Sequence, residues 1–434
     1  MSGGATARAT GTPPARGGWD VRHRAVLLVL SANMILDAIE VSLVLVALPD
    51  VRAELGLSPL AVQWLMSGFA LGFAVALLTG ARLVARLGTR RVYLAAMLGF
   101  AVASVAGGFA GDPVTLVATR VVKGLCAALT APAGLAIIAD AFPEGPGRRR
   151  AVSVYALCGA AGFTAGLLLS GALLQAGWRW TLWFPAPLAL LVLVPALRVL
   201  PRDRPRGVPA APAVRVPSAA RALRDGVLVR TAVGAAALNG TYHSVLFLVT
   251  LHVQERQGWP PWLNALALLP ACVPLAVTVP FAGRMTARWG VGRLIALGAA
   301  APLAGYALLL ARPRLAPYAT GVLPVLLLVG AGFVLSFAAL NMRAAATGTA
   351  EDRPAALRVY QAAVQLGAVV LLPATGALLS AGHGGRPAFA LLVVAAAVGL
   401  AAAVAPFPSR SAASPSRSAP SPSASPSPSR KDRA

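Results

Sequence analysis

The chain of 434 residues is 57% hydrophobic and only 12% charged, and its mean hydropathy is +0.73. Soluble domains carry about 25% charged residues, so these values exclude a soluble globular protein, which cannot keep so much apolar surface away from water. The formal net charge of +24 comes from short clusters of basic residues between long apolar runs, a distribution that does not fit the basic face of a nucleic-acid-binding protein.

Twelve apolar runs follow one another along the chain, and each is close to the ~20 residues that a helix needs to cross a membrane. We therefore predict an all-α membrane protein with two pseudo-symmetric halves of six helices each. The predicted helices lie near 25–48, 59–79, 92–111, 114–138, 152–174, 181–199, 231–251, 263–282, 294–311, 319–340, 359–380 and 387–407.

Polar segments divide the chain into five parts. The parts are a cytoplasmic segment 1–24, a six-helix bundle 25–199, a central loop 200–230, a second bundle 231–407 and a Ser/Pro/Arg tail 408–434. The tail has too few apolar residues to fold and is predicted to be disordered. With both termini inside, most of the 38 lysines and arginines fall in cytoplasmic segments. The positive-inside rule thus favours this orientation in a bacterial plasma membrane.

A short motif occurs once in each half. Arg82 to Gly88 reads R-L-V-A-R-L-G, and Arg284 to Gly290 reads R-M-T-A-R-W-G. Both copies are predicted to lie in the loop after the second helix of their half. Duplicated six-helix halves are typical of secondary transporters, whose substrate site lies between the halves near the middle of the bilayer.

Several segments resemble patterns of the major facilitator superfamily and, within it, of the drug:proton antiporters. Ile39 to Pro49 resembles L-D-x-T-x-V-N-V-A-L-P, and Gly80 to Arg91 resembles the loop G-x-L-x-D-R-x-G-R-R. Arg120 to Gly124 resembles R-x-x-Q-G, and Trp178 to Pro187 resembles W-R-W-x-F-x-x-N-x-P. The resemblance covers about 25–405 and implies the fold of that superfamily and a transport function.

The chain departs from these patterns at informative positions. Ala85 and Ala287 occupy the place of the loop aspartate, and Leu167 follows Gly166 where the antiporters have Gly-Pro. The resemblance therefore implies a divergent member. It assigns conformational gating to the motif residues Gly80, Arg82, Arg86, Gly88, Arg90, Arg284, Arg288 and Gly290.

Four ionisable side chains lie inside apolar runs, where each costs about 2.5–3.5 kcal/mol by insertion scales. Asp37 and Glu40 are three residues apart and share one face of the first helix, as do Arg120 and Lys123 on the fourth. We expect Glu40 and Asp37 to carry a coupling proton and Arg120 to control its loading. The alternative is a static charge network that holds the first and fourth helices together.

Other polar residues at mid-depth are candidates for the lining of a substrate cavity. A lone histidine at this depth is also compatible with a packing role. The candidates are Asn33, Gln63, Lys123, Asn239, Tyr242, His243, Tyr360, Gln361 and Gln365.

The leading functional prediction is export of a drug or secondary metabolite in exchange for protons. Uptake of an organic solute by a symporter or facilitator and a non-transporting membrane sensor or enzyme remain alternatives. H-E-x-x-H, G-x-S-x-G and P-loop patterns do not occur in the sequence. We therefore expect no enzyme activity, no cofactor and no metal. The expected partners are a small-molecule substrate, protons and membrane lipids, with no nucleic acid, and the expected state is a monomer.

Overall fold

The computed structural model describes residues 19–201, 222–278, 281–311, 317–347, 352–382 and 385–404, and within them every regular element is helical. The helices in chain order are α1 Val21–Glu54, α2 Pro59–Val62, α3 Trp64–Leu87, α4 Thr89–Phe109, α5 Pro113–Ala141, α6 Pro146–Leu173, α7 Arg179–Trp183, α8 Pro185–Val199, α9 Gly226–Leu251, α10 Pro261–Thr278, α11 Ala282–Trp289, α12 Val291–Ala311, α13 Tyr318–Ala345, α14 Arg353–Ser380 and α15 Arg386–Val404.

Eleven helical segments of the described chain are long and apolar enough to cross a membrane. Two of these segments consist of two consecutive α-helices, namely α2 with α3 and α7 with α8. The eighth predicted run corresponds to α10, whose apolar part Pro261–Cys272 is shorter than the others. The predicted all-α membrane fold is confirmed.

Most helices extend beyond the apolar runs from which they were predicted, because polar residues cap their ends or continue the backbone hydrogen bonding. The Asp112 side chain accepts a hydrogen bond from the amide of Thr115 at 2.9 Å and caps α5. Asp225 caps α9 in the same way. Capping aspartates therefore define helix ends that hydropathy alone does not locate.

The predicted loops that carry the repeated motif are largely helical, which corrects the prediction. Gly80, Arg82 and Arg86 lie within α3, and Arg284 and Arg288 lie within α11. Their Ala, Arg and Leu residues are good helix formers, so helical hydrogen bonding continues through them.

The chain reverses only at the glycine that ends each motif. Gly88 has φ +91° and Gly290 has φ +78°, a conformation that glycine adopts without steric cost. Arg90 follows the first of these turns and is already part of α4.

Helix packing positions the candidate site. In the N-terminal part, which consists of α1 to α8, α1 packs against α6 and α8, while α3 and α4 pack against α5. In the C-terminal part, which consists of α9 to α15, α9 packs against α14 and α15, and α12 packs against α13. Contacts of α3 with α14 and of α6 with α10 join the two parts.

The described residues up to Val404 form one compact unit. The division into bundles at 25–199 and 231–407 therefore stays a prediction. The predicted tail 408–434 and most of the predicted segments 1–24 and 200–230 lie outside the described residues.

Candidate functional site

Three charged side chains from α1 and α5 meet inside the N-terminal helices. Glu40, Arg120 and Lys123 are each at most 1% exposed. The Glu40 Oε1 atom accepts a hydrogen bond from Arg120 Nη1 and lies 2.6 Å from Lys123 Nζ. One carboxylate oxygen therefore faces two cations, and their attraction offsets part of the large cost of burying the three charges.

Neighbouring helices hold both cations in place. Arg120 Nε donates to the carbonyl oxygen of Leu65 on α3 at 2.7 Å. The Arg120 guanidinium lies 4.9 Å from the Phe69 ring centroid, and the Lys123 ammonium lies 5.0 Å from that of Phe100. The ring faces carry negative charge and attract cations, so four helices, α1, α3, α4 and α5, build this charge cluster.

Asp37 has a different environment from Glu40, although it lies one turn away on α1. Its Oδ2 atom accepts hydrogen bonds from Asn33 Nδ2 and from Thr130 Oγ1, each at 3.1 Å. Asp37, Asn33 and Thr130 line a small cavity. Met97 of α4 and Ala189 of α8 line the same cavity. Asp37 thus contacts neutral groups between α1, α4, α5 and α8, whereas Glu40 contacts two cations.

The structure brings together some predicted site residues and separates others. Glu40, Arg120 and Lys123 form one cluster, and Asp37 with Asn33 forms an adjacent one. Gln63 is buried elsewhere, where its Oε1 accepts from Ser67 Oγ at 2.7 Å. Whether these groups move protons or contact a substrate stays a prediction.

The C-terminal candidates lie on α9 and α14. Asn239 Nδ2 donates to the Val364 carbonyl at 2.9 Å and joins the two helices. His243 Nδ1 hydrogen-bonds to the Asn239 carbonyl at 2.8 Å. Tyr242 OH contacts Cys272 Sγ at 3.3 Å, and Tyr360 is fully buried.

Half-buried amides complete this region. Gln361 Nε2 donates to Asn341 Oδ1 of α13 at 2.9 Å, and Gln365 is also half-buried.

Sequence reasoning missed several residues of these clusters. Thr130 binds Asp37, Asn341 binds Gln361, and Phe333 and Phe337 stack at 4.7 Å. The spacing of the two phenylalanines by one helical turn was a signal in the sequence. For Thr130 and Asn341 no local signal existed, because both roles depend on a partner from another helix.

Three polar contacts between described residues join the N-terminal helices to the C-terminal helices, and all three lie at the end where α1 and α9 finish. Arg52 pairs with Glu255, Gln254 Nε2 donates to the Val46 carbonyl at 3.0 Å, and the Leu60 amide donates to Ser380 Oγ at 3.1 Å. This end is therefore closed. Under the orientation predicted from the basic residues it is the extracellular end.

At the opposite end, the polar contact from His23 Nε2 to the Ala141 carbonyl stays within the N-terminal part. Likewise, Arg343 Nη1 donates to the Ala403 carbonyl within the C-terminal part. Among the described polar contacts that join the two parts at the closed end, Arg52–Glu255 is an ion pair.

Reversing one charge of the Arg52–Glu255 pair is expected to open this end. Both side chains are about 30% exposed, and such pairs contribute about 0.2–1 kcal/mol. Arg52→Glu should therefore raise the ratio of open to closed molecules up to about fivefold, and Arg52→Glu with Glu255→Arg should restore it. Spin labels on cysteines introduced at Ala53 and Pro260 would measure the distribution of distances between these two positions, which lie on opposite sides of the closed end.

The control for this experiment is Arg148→Gln, which removes a pair with Glu144 inside one segment. An unchanged distribution in Arg52→Glu, or no recovery in the double variant, would show that the pair does not hold this end closed.

Comparison with known proteins agrees with this architecture. The family model described as Major Facilitator Superfamily matches residues 30–349. The puromycin resistance protein of Streptomyces alboniger is 32% identical, and the alignment covers 86% of each chain. A cephamycin export protein of Amycolatopsis lactamdurans is 38% identical over 42% of this chain and 38% of its own length.

Solved structures show the same fold at low sequence identity. A D-xylose–proton symporter has a TM-score of 0.72 at 18% identity, covering 88% of this chain and 96% of its own. A bacterial homologue of the human lysosomal transporter Spinster, in an inward-facing and unoccupied conformation, has a TM-score of 0.65 at 19% identity. That alignment covers 89% of this chain and 98% of the homologue.

Proposed function

The chain belongs to the major facilitator superfamily, and on this basis we propose that it exports a small organic compound in exchange for protons by alternating access. Relatives that confer puromycin resistance or export cephamycin support the direction of transport. We further propose that the protein works as a monomer among the lipids of a bacterial plasma membrane, with both termini in the cytoplasm.

The observation that carries the proposal is the arrangement around Glu40. Its Oε1 faces both Arg120 and Lys123, while its Oε2 has no hydrogen-bond partner among the described residues. A proton can therefore bind Oε2 without displacing a donor. The two buried cations then lose their counter-charge, which is costly in a low-dielectric interior. Protonation would thus disfavour this conformation and favour one that rearranges the cluster.

Asp37 gives the proton a second position on the same helix. It lies one turn from Glu40 and hydrogen-bonds to the neutral groups of Asn33 and Thr130. Protonation of Asp37 therefore breaks no ion pair. We assign Asp37 and Glu40 to proton transfer and Arg120 to control of the charge state of Glu40.

Substrate accumulation driven by an imposed pH gradient tests the coupling and its sign. Tritiated N-acetylpuromycin is a suitable probe because it lacks the basic amine of puromycin and does not distribute across a pH gradient by itself. In proteoliposomes with an acidic lumen, an antiporter should accumulate the probe at least tenfold above its level without a gradient. Asp37→Asn should reduce this accumulation to the level of protein-free vesicles and leave exchange without a gradient unchanged.

Glu40→Gln is tested together with Lys123→Met, so that one of the two buried cations is removed with the anion. This double variant is also expected to lose the accumulation that is driven by the pH gradient. Accumulation only when the outside is acidic would instead indicate a symporter. Coupling of wild-type strength in both variants would exclude the proton role of these acids.

A further inference from the structure

The charged side chains at mid-depth are enclosed by protein. Glu40, Arg120 and Lys123 are at most 1% exposed, and Glu40 pairs with both cations, while Asp37 is held by two neutral groups. All other charged side chains of the described helices lie within about two turns of a helix end. A molecule between the two parts of the protein therefore meets neutral side chains at mid-depth.

One face of α9 is directed toward α1. Gln254, just beyond the end of α9, donates to the Val46 carbonyl of α1. His243 lies eleven residues earlier, three helical turns away on the same face. Its side chain is half-buried, and the helical spacing places it on the side of α9 that borders the space between α1 and α9.

The hydrogen bonds of His243 determine what it presents to this space. Since a carbonyl oxygen only accepts, Nδ1 carries the hydrogen that is donated to the Asn239 carbonyl at 2.8 Å. In the neutral imidazole, Nε2 is then an acceptor, and no described residue donates to it. The ring is held in place because Asn239 is itself tied to α14.

Aromatic rings extend from His243 toward α13. Tyr242 lies edge-on to His243 at 5.5 Å and contacts Phe333 at 4.6 Å. Phe333 stacks on Phe337 at 4.7 Å with an angle of 19° between the ring planes. Phe337 is half-buried, so this row of rings ends on an accessible aromatic surface.

We propose that this face of α9 and α13 is the substrate-binding surface and that it recognises a ring-bearing compound without an ion pair. A ring of the substrate stacks on Phe337, and an N–H or O–H group of the substrate donates to His243 Nε2. The proposal rests on the proposed transport function, because the bound compound is the one that is carried. It excludes Arg120 and Lys123 from direct substrate contact.

Equilibrium binding to the purified protein in detergent tests this surface without requiring transport or proton coupling. Tritiated puromycin and tritiated N-acetylpuromycin both have aromatic rings and N–H donors, and only puromycin has a basic amine. We expect their dissociation constants to agree within about threefold. His243→Phe should weaken binding of both probes by roughly threefold to tenfold, because one hydrogen bond usually contributes a factor of this size to affinity. His243→Gln, which keeps an acceptor, should recover part of the loss.

Phe337→Ala should weaken binding by roughly threefold to tenfold, since it removes the ring on which the substrate stacks. The matched control is His252→Phe, a half-buried histidine that lies nine residues further on and thus on the opposite side of the helix. It should bind both probes like the wild type.

Three outcomes overturn the proposal. They are binding of neither probe, unchanged affinity in both His243→Phe and Phe337→Ala, and a tenfold preference of the wild type for puromycin over N-acetylpuromycin. Binding as expected combined with absence of proton-driven accumulation would overturn the proposed antiport and leave this surface supported.

Discussion

Glu40→Gln alone is expected to lower the free energy of unfolding by about 3–5 kcal/mol, the usual cost of breaking a buried ion pair by removing one partner. The substitution keeps the shape of the side chain but leaves Arg120 and Lys123 adjacent, buried and without an anion. Thermal unfolding of the detergent-solubilised protein, followed by size-exclusion chromatography with fluorescence detection, measures the effect. Lys123→Met added to Glu40→Gln should recover part of the stability, because one unpaired cation is removed.

The control is Glu54→Gln. Glu54 pairs with Arg179 at 2.6 Å, but 47% of its side chain is exposed, so its loss should cost no more than about 1 kcal/mol. If Glu40→Gln unfolds at the temperature of the wild type, the cluster does not stabilise the contact between α1 and α5.

Gly367→Ala is expected to prevent α9 and α14 from packing and to abolish recovery of monodisperse protein. A Cβ atom on Gly367 would lie 1.9 Å from the carbonyl oxygen of Ala236 and 2.6 Å from its carbonyl carbon. These are backbone atoms, so no change of rotamer relieves the overlap and the two helices must separate. Since this contact also positions Asn239 against Val364, transport should be lost with the fold.

The matched control is Gly292→Ala in α12, where an added Cβ has no atom within 4 Å. Alanine should stabilise that helix by up to about 1 kcal/mol. Size-exclusion profiles after expression compare the two variants directly. A normal profile for Gly367→Ala would show that α9 and α14 do not approach as closely as described.

Composition and the length of the apolar runs were sufficient to predict the membrane fold, because the bilayer imposes a length and an apolar character that can be read locally. The motif residues were sufficient to identify the family, and the match of the family model over residues 30–349 confirms it. Helical spacing also placed Asp37 with Glu40, and Arg120 with Lys123, on shared faces, since a face repeats every three to four residues.

Which groups meet across helix interfaces was decided by tertiary packing. Asp37 and Glu40 look equivalent in sequence, yet one contacts neutral groups of α1 and α5 and the other contacts two cations. The Arg52–Glu255 pair joins residues about 200 positions apart, and neither residue has a local feature that predicts its partner. Spacing along one helix is a local property, whereas the residues that a helix face contacts depend on how all the helices pack together.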